Sequence, residues 1–242
     1  MAATRRSNKS SSTVAAAMAA AHEETSPATP RSGPRARHFN MLREFVLADA
    51  VTLCNSASGS TSIFASLKYV TTGNPWFLYA AILLLPAALI FDIFDGRVAR
   101  WSNSSSPMGR ELDSLADVIS FGVAPAVLGF AIGLQGLFDV VVLLYFVNCG
   151  VSRLARYNVT AETHSDASGK VTFFEGTPIP TTVGIALGIL YLINSGQYGD
   201  ELLPGGKMVL HVLGGWTFHP FVLVYALSGS LMISRTVRIP KL

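Results

Sequence analysis

The chain has 242 residues, half of them hydrophobic and only 14% charged, with a net charge of +3. A soluble domain of this length carries nearer a quarter charged residues, so the composition excludes an ordinary soluble globule and points to an integral membrane protein. Two cysteines, Cys54 and Cys149, both within apolar segments, exclude a disulfide framework or a zinc site and are expected to be buried thiols.

Residues 1–40 are rich in Ser, Pro and Ala, and residues 1–43 hold seven Lys/Arg against two acids. The short run VAAAMAAA is followed by His-Glu-Glu and not by a cleavage site, which argues against a secretory signal. A disordered tail over 1–40 is expected, with a mitochondrial presequence as the competing reading. The rest, 41–242, reads as one transmembrane domain.

A helical span needs about 20 mostly apolar residues. Six candidates follow in chain order: 45–70, 76–100, 109–134, 137–157, 178–196 and 211–234. The first, with VTLCNSASGSTSIFAS, is full of small and polar groups suited to close helix packing or a polar cavity. With the N-terminus inside and six spans, every Lys and Arg except Lys68 and Lys207 lies on the cytoplasmic side, as the positive-inside rule requires. Both termini are then cytoplasmic, and the sequons at Asn8, Asn103 and Asn158 stay unglycosylated.

The second and third spans meet in FDIFDGRVARWSNSSSPMGRELDSLADVIS, residues 91–120. Residues three or four apart share a helix face, so Asp92, Asp95 and Ala99 form one stripe and Gly109, Asp113 and Asp117 another. The helices run antiparallel, and the stripes can meet. Four converging carboxylates repel one another unless a cation intervenes, and all-oxygen ligation favours Mg²⁺, Mn²⁺ or Ca²⁺ over zinc. Gly96, Ala99 and Gly109 clear space on the same faces, while Arg97 and Arg100 offer planar donors for phosphate. Together these features point to a metal–diphosphate site. The helix dipole accounts for Glu111 and Asp113 at a helix start, but it disfavours Asp92 and Asp95 at a helix end.

Written out, the stretch is Asp92-x₂-Asp95-Gly96-x₂-Ala99-Arg100-x₈-Gly109-x₃-Asp113-x₃-Asp117. It resembles the complete signature of the CDP-alcohol phosphatidyltransferases. The resemblance implies a fold of six transmembrane helices, a homodimer, and transfer of a phosphatidyl or similar group from a CDP-linked donor to an alcohol, with release of CMP. It implies Asp92, Asp95 and Asp113 as ligands of Mg²⁺ or Mn²⁺, two ions in all. Asp117 would join the second ion and act as general base. Asp95, Gly96, Ala99, Arg100 and Gly109 would line the nucleotide and diphosphate pocket, with Asn55 near the nucleotide and Thr52 beside it.

The acceptor is read from CGVSRLARYNVT (149–160) and KVTFFEGTPIPTT (170–182). Arg153 and Arg156 can present one face to an anion, and Glu175 sits in a stiff Gly-Pro turn. An acceptor with both carboxylate and ammonium, such as serine, suits that mixture better than glycerol phosphate or inositol phosphate. SRLARYNV, FFEGTPIPTT and LMISRTVRIPKL resemble the serine-accepting, CDP-diacylglycerol-using members of the family, the fungal ones above all. That resemblance implies Arg156 and Tyr157 at the serine, with Glu175 and Arg153 nearby, and a place in the endoplasmic reticulum membrane. The readings that compete are the same chemistry on another alcohol, and an ion transporter, which would carry its acids mid-span.

Overall fold

The structure is a computed structural model that describes residues 47–101, 107–164, 173–199, 203–210, 216–234 and 238–240. The chain divides into two units between Glu44 and Phe45. The expected disordered tail falls in the first unit, outside the described residues.

The second unit is mostly helical. In chain order it contains α1 (Leu47–Thr72), α2 (Pro75–Trp101) and α3 (Pro107–Asp117). A π-helical segment, Val118–Val123, leads into α4 (Ala124–Ala131), and α5 (Leu137–His164) follows. Then come β1 (Phe173–Glu175), a 3₁₀ turn over Ile179–Thr182 and α6 (Val183–Asn194). The chain ends through β2 (Met208–Leu210), β3 (Trp216–Phe218), α7 (Leu223–Ile233) and β4 (Arg238–Pro240). The strands form two antiparallel pairs, β1 with β4 and β2 with β3.

Three stretches are long and apolar enough to cross a membrane by length and composition: Pro75–Trp101, Met108–Ala131 and Leu137–Val159. Ile179–Asn194 and Pro220–Ile233 are shorter apolar helices. Within the expected last span, 211–234, Trp216–Phe218 is a strand paired with Met208–Leu210 and the helical run starts at Pro220, while 211–215 fall outside the described residues. Proline suits a first helical position because it lacks the N–H that would go unpaired there.

The first helix explains how polar sequence can sit in such a fold. Its buried face is Thr52, Asn55, Ser58, Gly59, Ser62 and Ser66, while Leu53, Phe64, Leu67 and Val70 are exposed. This is the reverse of a soluble amphipathic helix and what lipid contact demands: small residues let backbones approach, and apolar side chains face hydrocarbon. Ser62 Oγ donates to the Ala81 carbonyl of α2 at 2.7 Å, a bond between helices inside the packed face. Cys149 is buried as expected, but Cys54 lies on the outward face of α1 and is exposed. It follows Leu53 around the helix, away from the Thr52–Asn55 stripe.

The core joins α2, α4, α5, α6 and α7 around Phe121, Phe146 and Tyr225. Tyr225 meets Phe146 edge to face with ring centroids 5.3 Å apart, and its hydroxyl donates to the Pro125 carbonyl at 2.9 Å. Gly129 is required beneath that hydroxyl, since a Cβ there would stand 2.7 Å from the tyrosine oxygen. Near the start of α5, Asp139 is fully buried. It accepts from the main-chain N–H of Gly136 and His219 and pairs with His219 Nδ1 at 2.7 Å.

Candidate active site

Asp92 and Asp95 occupy the last turns of α2, and Asp113 and Asp117 lie one turn apart on α3. Each of Asp92, Asp95 and Asp113 offers a carboxylate oxygen, and the three oxygens lie within 4.8 Å of one another. Asp117 stands beside this triad, its carboxyl within hydrogen-bond reach of Asp92. The spacing that aligns the stripes is therefore realised by packing of the two helices.

Asp95 and Asp117 are buried. Asp113 Oδ1 is buried without a hydrogen-bond partner among the described residues. Oxygens this close repel strongly in a medium of low dielectric, and a bare carboxylate oxygen is costly to bury. A hard divalent cation relieves both, and an all-carboxylate donor set is the chemistry such an ion selects. The residues present thus fit a divalent metal.

The wall opposite the triad comes from α1. Thr52 Oγ1 donates to Asp95 Oδ2 at 2.8 Å, and Asn55 Nδ2 donates to Asp117 Oδ1 at 3.3 Å. Among the described residues nothing lies within 4 Å of where a Cβ on Gly96 would stand, so they leave this part of the α2 face open. Ala99 and Gly109 are half-buried, while Arg97 and Arg100 are exposed.

On its other side Asp117 opens into a cavity of about 130 Å³. Asp113 and Asp117 form one wall, Arg110 and Ser114 of α3 extend it, and Arg153, Tyr157 and Asn158 of α5 face them. Pro178–Pro180 close the end. That turn is held against the helices from several sides. Gly176 has φ +76, and a Cβ there would run into the Met232 carbonyl, so only glycine fits the approach to α7. Thr182 Oγ1 donates to the Phe121 carbonyl of the π segment at 2.9 Å. Ile179 packs where Gly150 of α5 leaves room, 3.0 Å from the position of a Cβ.

Of the expected acceptor residues, Arg153 and Tyr157 line the cavity. Arg153 is half-buried and faces Asp117, and its Nε is buried with no hydrogen-bond partner among the described residues. Arg156 is exposed and turns toward α7, where Nη1 donates to the Ile233 carbonyl at 3.4 Å. Glu175 is in β1, its backbone paired in register with Arg238. The sequence reading missed Arg110, Ser114 and Asn158. Arg110 and Ser114 were findable, since Arg110, Asp113, Ser114 and Asp117 make one i, i+3, i+4, i+7 face. Asn158 had no such signal; it reaches the site by mutual hydrogen bonds with Ser114, at 3.0 and 3.2 Å.

Comparison with known proteins adds to this geometry. A family model described as CDP-alcohol phosphatidyltransferase matches residues 45–224. The chain is 46% identical over 206 residues to a CDP-diacylglycerol–serine O-phosphatidyltransferase of Saccharomyces cerevisiae, covering 84% of this chain and 74% of that protein. It is 34% identical over 213 residues to a protein of the same name from Mycobacterium leprae, covering 87% of this chain and 63% of the relative, just under two thirds of its length. A Helicobacter pylori protein of that name is 36% identical over 183 residues, covering 75% of this chain and 69% of the relative.

Proposed function

The chain belongs to the CDP-alcohol phosphatidyltransferase family, and we propose that it is a phosphatidylserine synthase, moving the phosphatidyl group from CDP-diacylglycerol to L-serine. The observation that carries the reading is a sharing of acids. Asp113 belongs both to the carboxylate triad and to the cavity wall, and Asp117 faces Asp92 on one side and the cavity on the other. A donor held at the triad and a small acceptor held in the cavity would meet at these two side chains.

Asp92, Asp95 and Asp113 would hold Mg²⁺ or Mn²⁺, with Asp117 joining at a second ion. When bound, such ions neutralise the diphosphate and stabilise charge on departing CMP. Asp95, Gly96, Ala99, Arg100 and Gly109 would receive the nucleotide and diphosphate. The open space at Gly96 supports that part of the reading. Arg153 and Tyr157 would take the serine carboxylate in the cavity, with Arg156 and Glu175 as the further acceptor residues that the resemblance implies.

Asp117 then removes the proton of the serine hydroxyl as its oxygen attacks the phosphorus of the phosphatidyl group. The new bond is serine O–P, and the bond broken is between that phosphorus and the bridging oxygen of the diphosphate. CMP leaves with the bonding pair, and the proton on Asp117 passes to solvent. Direct displacement requires no covalent enzyme intermediate.

The protein would act as a homodimer in the endoplasmic reticulum membrane, with six spans, a disordered tail over 1–40, and both termini and the active site on the cytosolic side. The cytosolic bias of Lys and Arg supports this orientation. The deciding assay gives purified full-length protein Mn²⁺ or Mg²⁺, CDP-diacylglycerol, and serine, inositol or glycerol 3-phosphate in parallel. Serine-dependent release of CMP with formation of phosphatidylserine is expected. CMP release with another alcohol alone would reassign the acceptor. No release from any, with ions crossing liposomes, would leave a transporter.

A further inference from the structure

One face of α1 reaches both halves of the acidic site. Thr52 and Asn55 are three residues apart and so are neighbours on that face. Their acceptors, Asp95 and Asp117, belong to α2 and α3 respectively. All four side chains are buried. A helix that contributes nothing to the triad itself is therefore bonded to an acid on each of the two helices that form the site.

The hydrogen bonds are selective. Thr52 Oγ1 also lies 3.2 Å from the Ala48 carbonyl, the back-bond common for threonine in a helix. A hydroxyl carries one hydrogen, and the shorter contact, 2.8 Å to a carboxylate, is the stronger claim on it. Asn55 is bonded both to Asp117 and to the π segment that follows it. Its amide donates to Asp117, and its main-chain carbonyl accepts from Ser120 Oγ at 3.0 Å, in the π turn just beyond Asp117. One turn further along α1, Gly59 permits this closeness: a Cβ there would stand 2.7 Å from Ser120 Cα. Carboxylate torsions are broad and roughly two-fold. A fixed outer donor therefore decides which oxygen faces a bound ion or substrate, as outer partners of metal ligands generally do.

We infer that Thr52 and Asn55 are positioning residues, orienting the carboxylates of Asp95 and Asp117 before ion or substrate binds. The inference rests on the metal-assisted transfer proposed above. It moves Asn55 from the nucleotide pocket to the base it touches. Thr52 then acts on ion affinity and Asn55 on turnover.

The test uses purified full-length protein in detergent, with Mn²⁺ binding in the absence of substrates followed by electron paramagnetic resonance. Thr52→Val keeps the shape and drops the hydroxyl; it should weaken Mn²⁺ binding roughly tenfold to 100-fold, the usual cost of losing an outer partner. Thr52→Ser restores the hydroxyl and should bind close to wild type. Unchanged affinity in Thr52→Val, or an equal loss in Thr52→Ser, overturns the role of Thr52. If Thr52→Val does not fold, Thr52→Ala against Thr52→Ser makes the same comparison.

Asn55→Leu, or Asn55→Ala should the larger side chain not fold, is read in steady-state kinetics. A fall in kcat of roughly tenfold to 100-fold, with both substrate KM values unchanged, is expected. A raised KM for CDP-diacylglycerol at unchanged kcat returns Asn55 to the nucleotide pocket and overturns its positioning role. The Mn²⁺ titration involves no acceptor alcohol, so it decides Thr52 even if serine fails as the acceptor.

Discussion

Replacing Arg153 by Met tests the acceptor cavity most directly. The guanidinium is half-buried, lines the cavity and faces Asp117, and its Nε has no hydrogen-bond partner among the described residues. Removing it therefore strands no known protein acceptor of that nitrogen, and methionine refills much of the volume, so the cost to folding should be small. The cost to substrate is larger. A hydrogen bond to a charged group contributes about 1.5–3 kcal/mol, which at about 1.4 kcal/mol per factor of ten corresponds to roughly a tenfold to 150-fold loss in kcat/KM. The loss should appear as a raised KM for serine, because the contact is made to the part of serine that does not react. The KM for CDP-diacylglycerol should not move. Arg153→Lys should recover only part, since a point charge cannot reproduce the planar fork. Steady-state kinetics with each substrate varied in turn provides the measurement. An unchanged serine KM would refute the argument, as would equal increases for both substrates.

Three further outcomes follow from the same geometry. Asp117→Asn should abolish turnover while sparing CDP-diacylglycerol binding, read by release of labelled CMP beside equilibrium binding; an active variant would remove Asp117 from the base role. Gly176→Ala should lower the melting temperature in detergent, because φ +76 costs a residue with Cβ about 1–2 kcal/mol before its contact with the Met232 carbonyl is counted; an unchanged melt would refute the tight approach to α7. Asp139→Ala breaks a fully buried pair with His219 and should cost about 3–5 kcal/mol of stability. Asp139 lies about 20 Å along α5 from Arg153, so the protein that remains folded should keep its serine KM, and a changed KM would show that the two ends communicate.

The acidic site was legible because its chemistry is carried by helix faces. Eight fixed residues from Asp92 to Asp117 lie on two consecutive helices, and a period near 3.6 turns their spacing directly into geometry. The arginine pair was legible only as a pair. Three residues on a helix leave an offset of about 60°. That modest rotation sends Arg153 into the cavity and Arg156 to the end of α7, and only the packing of α5 against α7 selects between them.

The first helix shows the same division. Its polar, small composition announced close packing, but composition cannot assign partners. That Thr52 meets Asp95, that Asn55 meets Asp117 and that Cys54 faces outward all depend on how α1 is rotated against α2 and α3. Likewise the strand at Trp216–Phe218 is made by a pairing partner in Met208–Leu210, which local hydrophobicity does not reveal. By itself the sequence determined the membrane character, the carboxylate triad with its neighbour Asp117, and the family. Those rest on composition and on contacts within one or two adjacent helices. Tertiary structure alone decided how the cavity is walled and which outer donors hold the acids, because those contacts join residues 40 to 65 positions apart, whose approach is set by packing and not by period.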